Sequence, residues 1–111
     1  MKPAKKINSR NKGKVGELEL SNLLKSRGYD THRGQQYKGG GDSPDVVGVP
    51  GFHIECKRVE AGNLYKWMEQ AKRDASYDAM PVVIHRRNGK PWVAILDLDD
   101  FIHLIKGSPN G

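Results

Sequence analysis

DVVGVPGFHIECKR, residues 45–58, reads as two strands turned back on each other at Pro50-Gly51. Val, Ile and Phe supply strand-forming residues, and Pro-Gly supplies the turn. The expected strands run from about Asp45 to Val49 and from Phe52 to Val59. Alternate residues of a strand face opposite sides of its sheet. Phe52, Ile54 and Cys56 therefore face a core, and His53, Glu55 and Lys57 face the other way. Cys56 is then a small buried hydrophobe, not a nucleophile. The hairpin can also bring Asp45 beside Glu55 and Lys57.

Two carboxylates and a lysine on one face are sufficient apparatus for phosphodiester hydrolysis. Hard oxygen ligands suit Mg²⁺, which binds through one or two carboxylates and keeps its waters for a phosphate substrate. Such an ion polarises a phosphoryl oxygen and lowers the pKa of a bound water. A lysine two residues from a ligand can orient that water and stabilise the charge developing at phosphorus. Glu-x-Lys also occurs as an exposed ion pair on strands, so the pattern by itself leaves both readings open.

The flanks of the hairpin complete a small α/β domain. Upstream, Val15, Leu18, Leu20, Leu23 and Leu24 predict a helix over about Lys14–Arg27, stopped by Gly28. Glu17 lies at the edge of that apolar face, and Glu19 nearer its middle. Tyr29–Arg33 is a short strand, and GQQYKGGGDSP (Gly34–Pro44) is a loop. Downstream, Asn63 caps a helix over roughly Leu64–Ala79 with Leu64, Trp67, Met68, Ala71 and Ala75 as its stripe. PVVIHR opens at Pro81 as a strand, Asn88-Gly89 signals a type I′ turn, and PWVAILDL returns as its partner. A last helix begins near Asp97 or Asp99 and stops at Gly107. The order α-β-β-β-α-β-β-α predicts an α/β fold with a mixed central β-sheet flanked by helices.

With 111 residues there is room for one core and not two. A hydrophobic share of 36% against 29% charged residues predicts a soluble globular domain. No apolar run approaches the roughly 20 residues of a membrane span, so no membrane partner is expected. The single cysteine, Cys56, fits a reducing, cytoplasmic setting. The net charge of +6 is unevenly placed. Residues 1–14 hold Lys2, Lys5, Lys6, Arg10, Lys12 and Lys14 and no acid, whereas 13 basic and 13 acidic residues balance from position 15 onward. The excess sits in an arm, which attracts phosphate backbones without reading sequence. A solubilising tail is the plainer account of the same charges. The expected organisation is a flexible basic arm over 1–12, one domain over 13–107 and a short tail over 108–111.

Pro44-Asp45 followed by Glu55-Cys56-Lys57 resembles the PD-(D/E)xK nuclease signature, and the upstream helix resembles that of archaeal-type Holliday junction resolvases within that superfamily. NKGKVGELELSNLLKSRGY (Asn11–Tyr29) has a Lys-x-Gly lead, an acid, a Leu-rich face and a Gly-aromatic end. NLYKWMEQAKRDA and PVVIHR resemble the family's second helix and next strand, so the likeness spans about Lys12 to Leu96. It implies a restriction-endonuclease-like core and a Mg²⁺-dependent DNA endonuclease, with Mn²⁺ able to substitute. Asp45, Glu55 and the backbone carbonyl of Cys56 would hold the metal, with Glu17 as a further ligand or a support for the phosphate. Lys57 would orient or activate the water, and Arg33 would grip the scissile strand. The substrate implied is a branched junction, as in recombination or repair, cut by a homodimer. Nicked, flapped or linear duplex DNA, or binding without catalysis, are the alternatives. Lys5, Lys6, Arg10, Lys12, Lys14, Gln35, Gln36 and Lys38 are candidate DNA contacts, and Gln70 a candidate supporting residue. The chain departs from the family in its Gly39–Asp42 insertion, which also offers Asp42 as a rival motif acid.

Overall fold

The computed structural model describes residues 9–34 and 44–107. Its elements are α1 (Ser9–Ser26), β1 (His32–Arg33), β2 (Val46–Val47), β3 (Phe52–Arg58), α2 (Leu64–Asp74), β4 (Met80–Arg86), β5 (Val93–Ile95) and α3 (Leu98–Gly107). This is the predicted order, laid out as a five-stranded sheet in the order β1-β2-β3-β4-β5. Only β3 and β4 run parallel, because α2 carries the chain back between them. The sheet is therefore mixed, consistent with the restriction-endonuclease-like core.

The turn at Gly51 sets the register that matters. Its φ of 85° suits glycine, and Phe52 N–H closes the turn onto the Val49 carbonyl at 3.2 Å. Val46 then lies opposite Ile54, and Asp45 N–H donates to the Ile54 carbonyl at 2.8 Å. Asp45 thus ends up across from Glu55.

Two apolar clusters cover the two faces of the sheet. Leu20 of α1 packs with Val46, Ile54 and Cys56 on one face. Met68 and Ala71 of α2 pack with Val83 on the other. Phe52, Ile54 and Cys56 do point into the first core, as the alternation predicts. The opposite face of β3 is also covered, so four consecutive residues, His53 to Cys56, are buried.

Helix α1 starts at Ser9, five residues ahead of the expected start, and turns Gly16, Leu20 and Ser21 to the sheet. Val15 and Leu18, expected on its apolar face, are exposed instead. Two contacts explain the rotation. Thr31 Oγ1 donates to the Ser21 carbonyl at 2.7 Å in a buried position. Gly16 lies directly against the Arg58 stem, where a Cβ would collide with the Arg58 Cβ. Glu19, awkward in the sequence, is half-exposed and pairs with Arg86 Nη1 at 2.6 Å and Arg58 Nε at 3.5 Å. Replacing Gly16 with Ala should therefore cost about 1–3 kcal/mol by overpacking, despite alanine's higher helix propensity. Thermal unfolding tests this, and an unchanged or raised midpoint would contradict the close approach.

Helix α2 begins at Asn63, whose side chain accepts from the N–H groups of Tyr65 and Lys66, as predicted. It ends at Asp74, short of Ala79, because Ala75 is extended at φ −71° and ψ 140° and Ser76 Oγ bonds Asp78. The β4–β5 connection is wider than a two-residue turn. Gly89 has φ 72° and Lys90 N–H reaches the Arg87 carbonyl, but pairing resumes only at His85–Val93. Pro91 in between has no N–H to donate to the ladder.

Candidate active site

Asp45, Glu55 and Lys57 come together at the β2–β3 pair through the register just described. Asp45 precedes β2 and is 7% exposed; Glu55, mid-β3, is 2% exposed. Asp45 Oδ2 accepts from the Cys56 N–H at 2.8 Å, which locks the carboxylate over β3. Burial first, and the neighbouring Glu55 charge second, push the Asp45 pKa up to about 7; the Cys56 N–H opposes them. Glu55 is raised as well, again by burial first, with a hydrogen bond from Asp45 and the Lys57 charge pulling the other way. Two carboxyl groups held this close in a dry place resist ionising together, and a bound cation would relieve that.

The face beneath α2 supplies the neighbours. His53 Nε2 lies 2.8 Å from Glu55 Oε1, and both side chains are almost fully buried. Burial lowers the His53 pKa. In its Nε2–H tautomer the ring donates to the Glu55 carboxylate, a contact that fixes the rotamer of Glu55. Lys57 Nζ donates to Gln70 Oε1 of α2 at 3.1 Å. An ammonium has three donors, so the amide steers Lys57 and leaves donors to spare. Lys57 also lines a groove of about 380 Å³ with Lys12, Gly13, Arg58 and Glu60, which gives it access to solvent.

Glu17 comes from α1. It bonds Arg33 Nε of β1 at 3.0 Å. Burial raises its pKa, the Asp45 charge adds to that, and Arg33 opposes it. Glu17 is thus within electrostatic reach of Asp45. It does not close a ligand cluster: among the described residues no three His, Cys, Asp or Glu side chains converge as a metal-ligand set. The donor pair that fits a divalent cation is Asp45 with Glu55, two hard oxygen donors whose shared negative charge burial leaves poorly solvated.

Other candidates fall in different places. Lys12 pairs with Glu60 at 2.9 Å, Lys14 is exposed, and the Arg33 side chain is 39% exposed beside Glu17. The Cys56 thiol is buried and pushed up to about 12, mainly by burial, so it is no nucleophile. Trp67 packs on His85 at 4.8 Å between ring centroids, and His85 Nε2 lies 3.0 Å from the Val59 carbonyl. Lys5, Lys6, Gln35, Gln36, Lys38 and Asp42, and the side chain of Arg10, lie outside the described residues.

Two residues near the site carried little weight in the sequence. His53 shares the Glu55 face by alternation, and its i, i+2 spacing from Glu55 is the signal for their contact. Asp74 was not singled out at all. Its side chain is 6% exposed, its Oδ2 has no hydrogen-bond partner, and its charge acts on both His53 and Glu55. Trp67, Gln70 and Asp74 follow i, i+3, i+7 spacing on α2, which places all three over the same face of the sheet.

No helix among the described residues is long and apolar enough to cross a membrane. No curated protein and no solved structure matched the chain. The family model described as "Phage putative PDDEXK endonuclease" matches residues 8–109, nearly the whole chain, and spans every element of the fold. With a mixed sheet that sets Asp45 opposite Glu55, itself two residues from Lys57, this chain belongs to that PDDEXK endonuclease family.

Proposed function

We propose that the protein is a metal-dependent endonuclease that hydrolyses DNA phosphodiester bonds at the Asp45–Glu55–Lys57 site. The observation that carries this is the buried carboxylate pair, whose pKa values are both raised. A group so placed is unfavourable for the fold alone and suited to a divalent cation. Asp45 and Glu55 would hold Mg²⁺, or Mn²⁺ in its place, together with the Cys56 carbonyl. When bound, the cation would polarise the phosphoryl oxygen and acidify a water.

The chain's own residues supply the rest. Asp45 must give up its proton before it can act as a ligand. His53 holds Glu55 in one rotamer. Gln70 steers Lys57, whose free donors stabilise charge at the scissile phosphate. Arg33, partly exposed and pinned by Glu17, offers a cation to the same strand. Lys12, Lys14 and the arm before them add backbone contacts without sequence preference.

By resemblance, the substrate is a four-way junction or other branched DNA, cut by two copies acting on one strand each in a cytoplasmic setting. The test offers four-way junction, flap, nicked and linear DNA to the protein with Mg²⁺ and with EDTA. Symmetric nicks on the junction, abolished by EDTA, are expected. Cleavage of another structure would move the substrate and keep the enzyme. Binding with no cleavage in Mg²⁺ or Mn²⁺ would leave only a DNA-binding module.

A further inference from the structure

Helix α3 is the part of the fold whose packing is missing. None of its residues is buried, and Leu98, Phe101, Ile102, Leu104 and Ile105 are between 37% and 68% exposed. A ten-residue helix is too short to hold itself in water, where roughly 12–15 residues are marginal. Its stability must come from packing an apolar face. The family match runs through it, to residue 109, so α3 is part of the domain.

The pattern on α3 states what would cover it. Leu98, Phe101, Ile102 and Ile105 follow i, i+3, i+4, i+7 spacing and form one stripe. That spacing is palindromic: read from either end, it is the same. A second α3 laid antiparallel therefore sets Leu98 against Ile105, and Phe101 against Ile102, about a twofold axis. The charges are matched to the same axis. Asp99 and Lys106 lie two turns apart, hence on the same flank of the stripe. An antiparallel pair sets each flank against the same flank of its partner. Asp99 of one copy then meets Lys106 of the other, twice. A parallel pair would set this flank against the opposite flank of the partner, and Asp99 would not meet Lys106.

We infer that α3 is the homodimer surface of this protein, formed by antiparallel pairing of two copies through Leu98, Phe101, Ile102 and Ile105, with Asp99–Lys106 pairs across the twofold. An isologous interface of this kind is the commonest closed assembly. Its link to paired strand cutting rests on the nuclease reading above; the interface itself does not.

Sedimentation of the full chain, without DNA or metal, tests it. The wild type is expected at about twice 12.4 kDa. Phe101→Glu changes a half-exposed side chain, so the sheet domain should still fold, checked by its cooperative unfolding. Dissociation should become easier by about 100-fold or more. Asp99→Lys and Lys106→Glu should each weaken the dimer several-fold, and the double variant should be tighter than either. Both changes oppose the helix dipole, so a purely local role would make the double variant the weakest of the three. A monomeric wild type, a dimer indifferent to Phe101→Glu, or additive losses in the double variant would overturn the inference. A dimer that does not cut DNA would refute the nuclease reading and leave this one standing.

Discussion

Lys57→Ala is expected to reduce DNA cleavage by about 10²–10³-fold while leaving the fold and DNA affinity nearly unchanged. Lys57 is half-buried and its polar contact is Gln70, so loss of that hydrogen bond should cost only about 1 kcal/mol. One cation removed from a basic protein lowers the salt dependence of binding by at most about one phosphate contact. The variant has a second signature. The Lys57 charge holds down the pKa of both Asp45 and Glu55. Without it both acids rise further, so any residual cleavage should need a higher pH. Pre-steady-state cleavage across pH, beside filter binding at two salt concentrations, measures both effects. Cleavage at the wild-type rate would remove Lys57 from the chemistry.

Asp45→Asn should abolish cleavage and stabilise the metal-free protein at the same time. The sign follows from the raised pKa, about 7 in the fold against an ordinary value of 3.8. Between those values the folded protein keeps a proton that the unfolded chain has lost. Stability is then full below the lower value and falls as pH rises toward and through 7. Asparagine has no proton to lose, and its carbonyl can still accept from Cys56 N–H. At pH 8 the variant should be more stable by roughly 2–4 kcal/mol, whereas at pH 4 the two should nearly coincide. The corresponding shift in melting temperature is on the order of 10 °C. Saturating Mg²⁺ should raise the wild-type midpoint at pH 8 and leave the variant's unmoved. Equal stabilities at pH 8, or an equal response to Mg²⁺, would show that Asp45 is neither strained nor a ligand.

These two expectations express one design. On the proposed mechanism, a site residue that opposes folding at working pH is retained for its chemistry, the usual trade between stability and activity. Here the conflict is local: His53, Glu55, Asp45 and Asp74 gather around the covered face of β3. The sheet's other face holds an ordinary apolar core, with Leu20, Val46, Ile54 and Cys56. One strand serves both purposes because its side chains alternate.

The features legible in the sequence were those set by neighbours along the chain. Alternation in FHIECK, the Pro50-Gly51 turn, the Asn63 cap and the order of elements each depend on a few consecutive residues. So does the motif that identifies the family, and the hairpin register alone puts Asp45 opposite Glu55. What required the tertiary structure was everything that passes between elements. The rotation of α1, which exposes Val15 and Leu18, follows from Gly16 against Arg58 and Thr31 against Ser21. Gln70 reaches Lys57 because α2 crosses over β3, and that crossing also buries His53 and Glu55. Sequence spacing fixes which side chains share a face. It does not fix which face another helix will cover, and that covering removes water from the carboxylates and raises their pKa values.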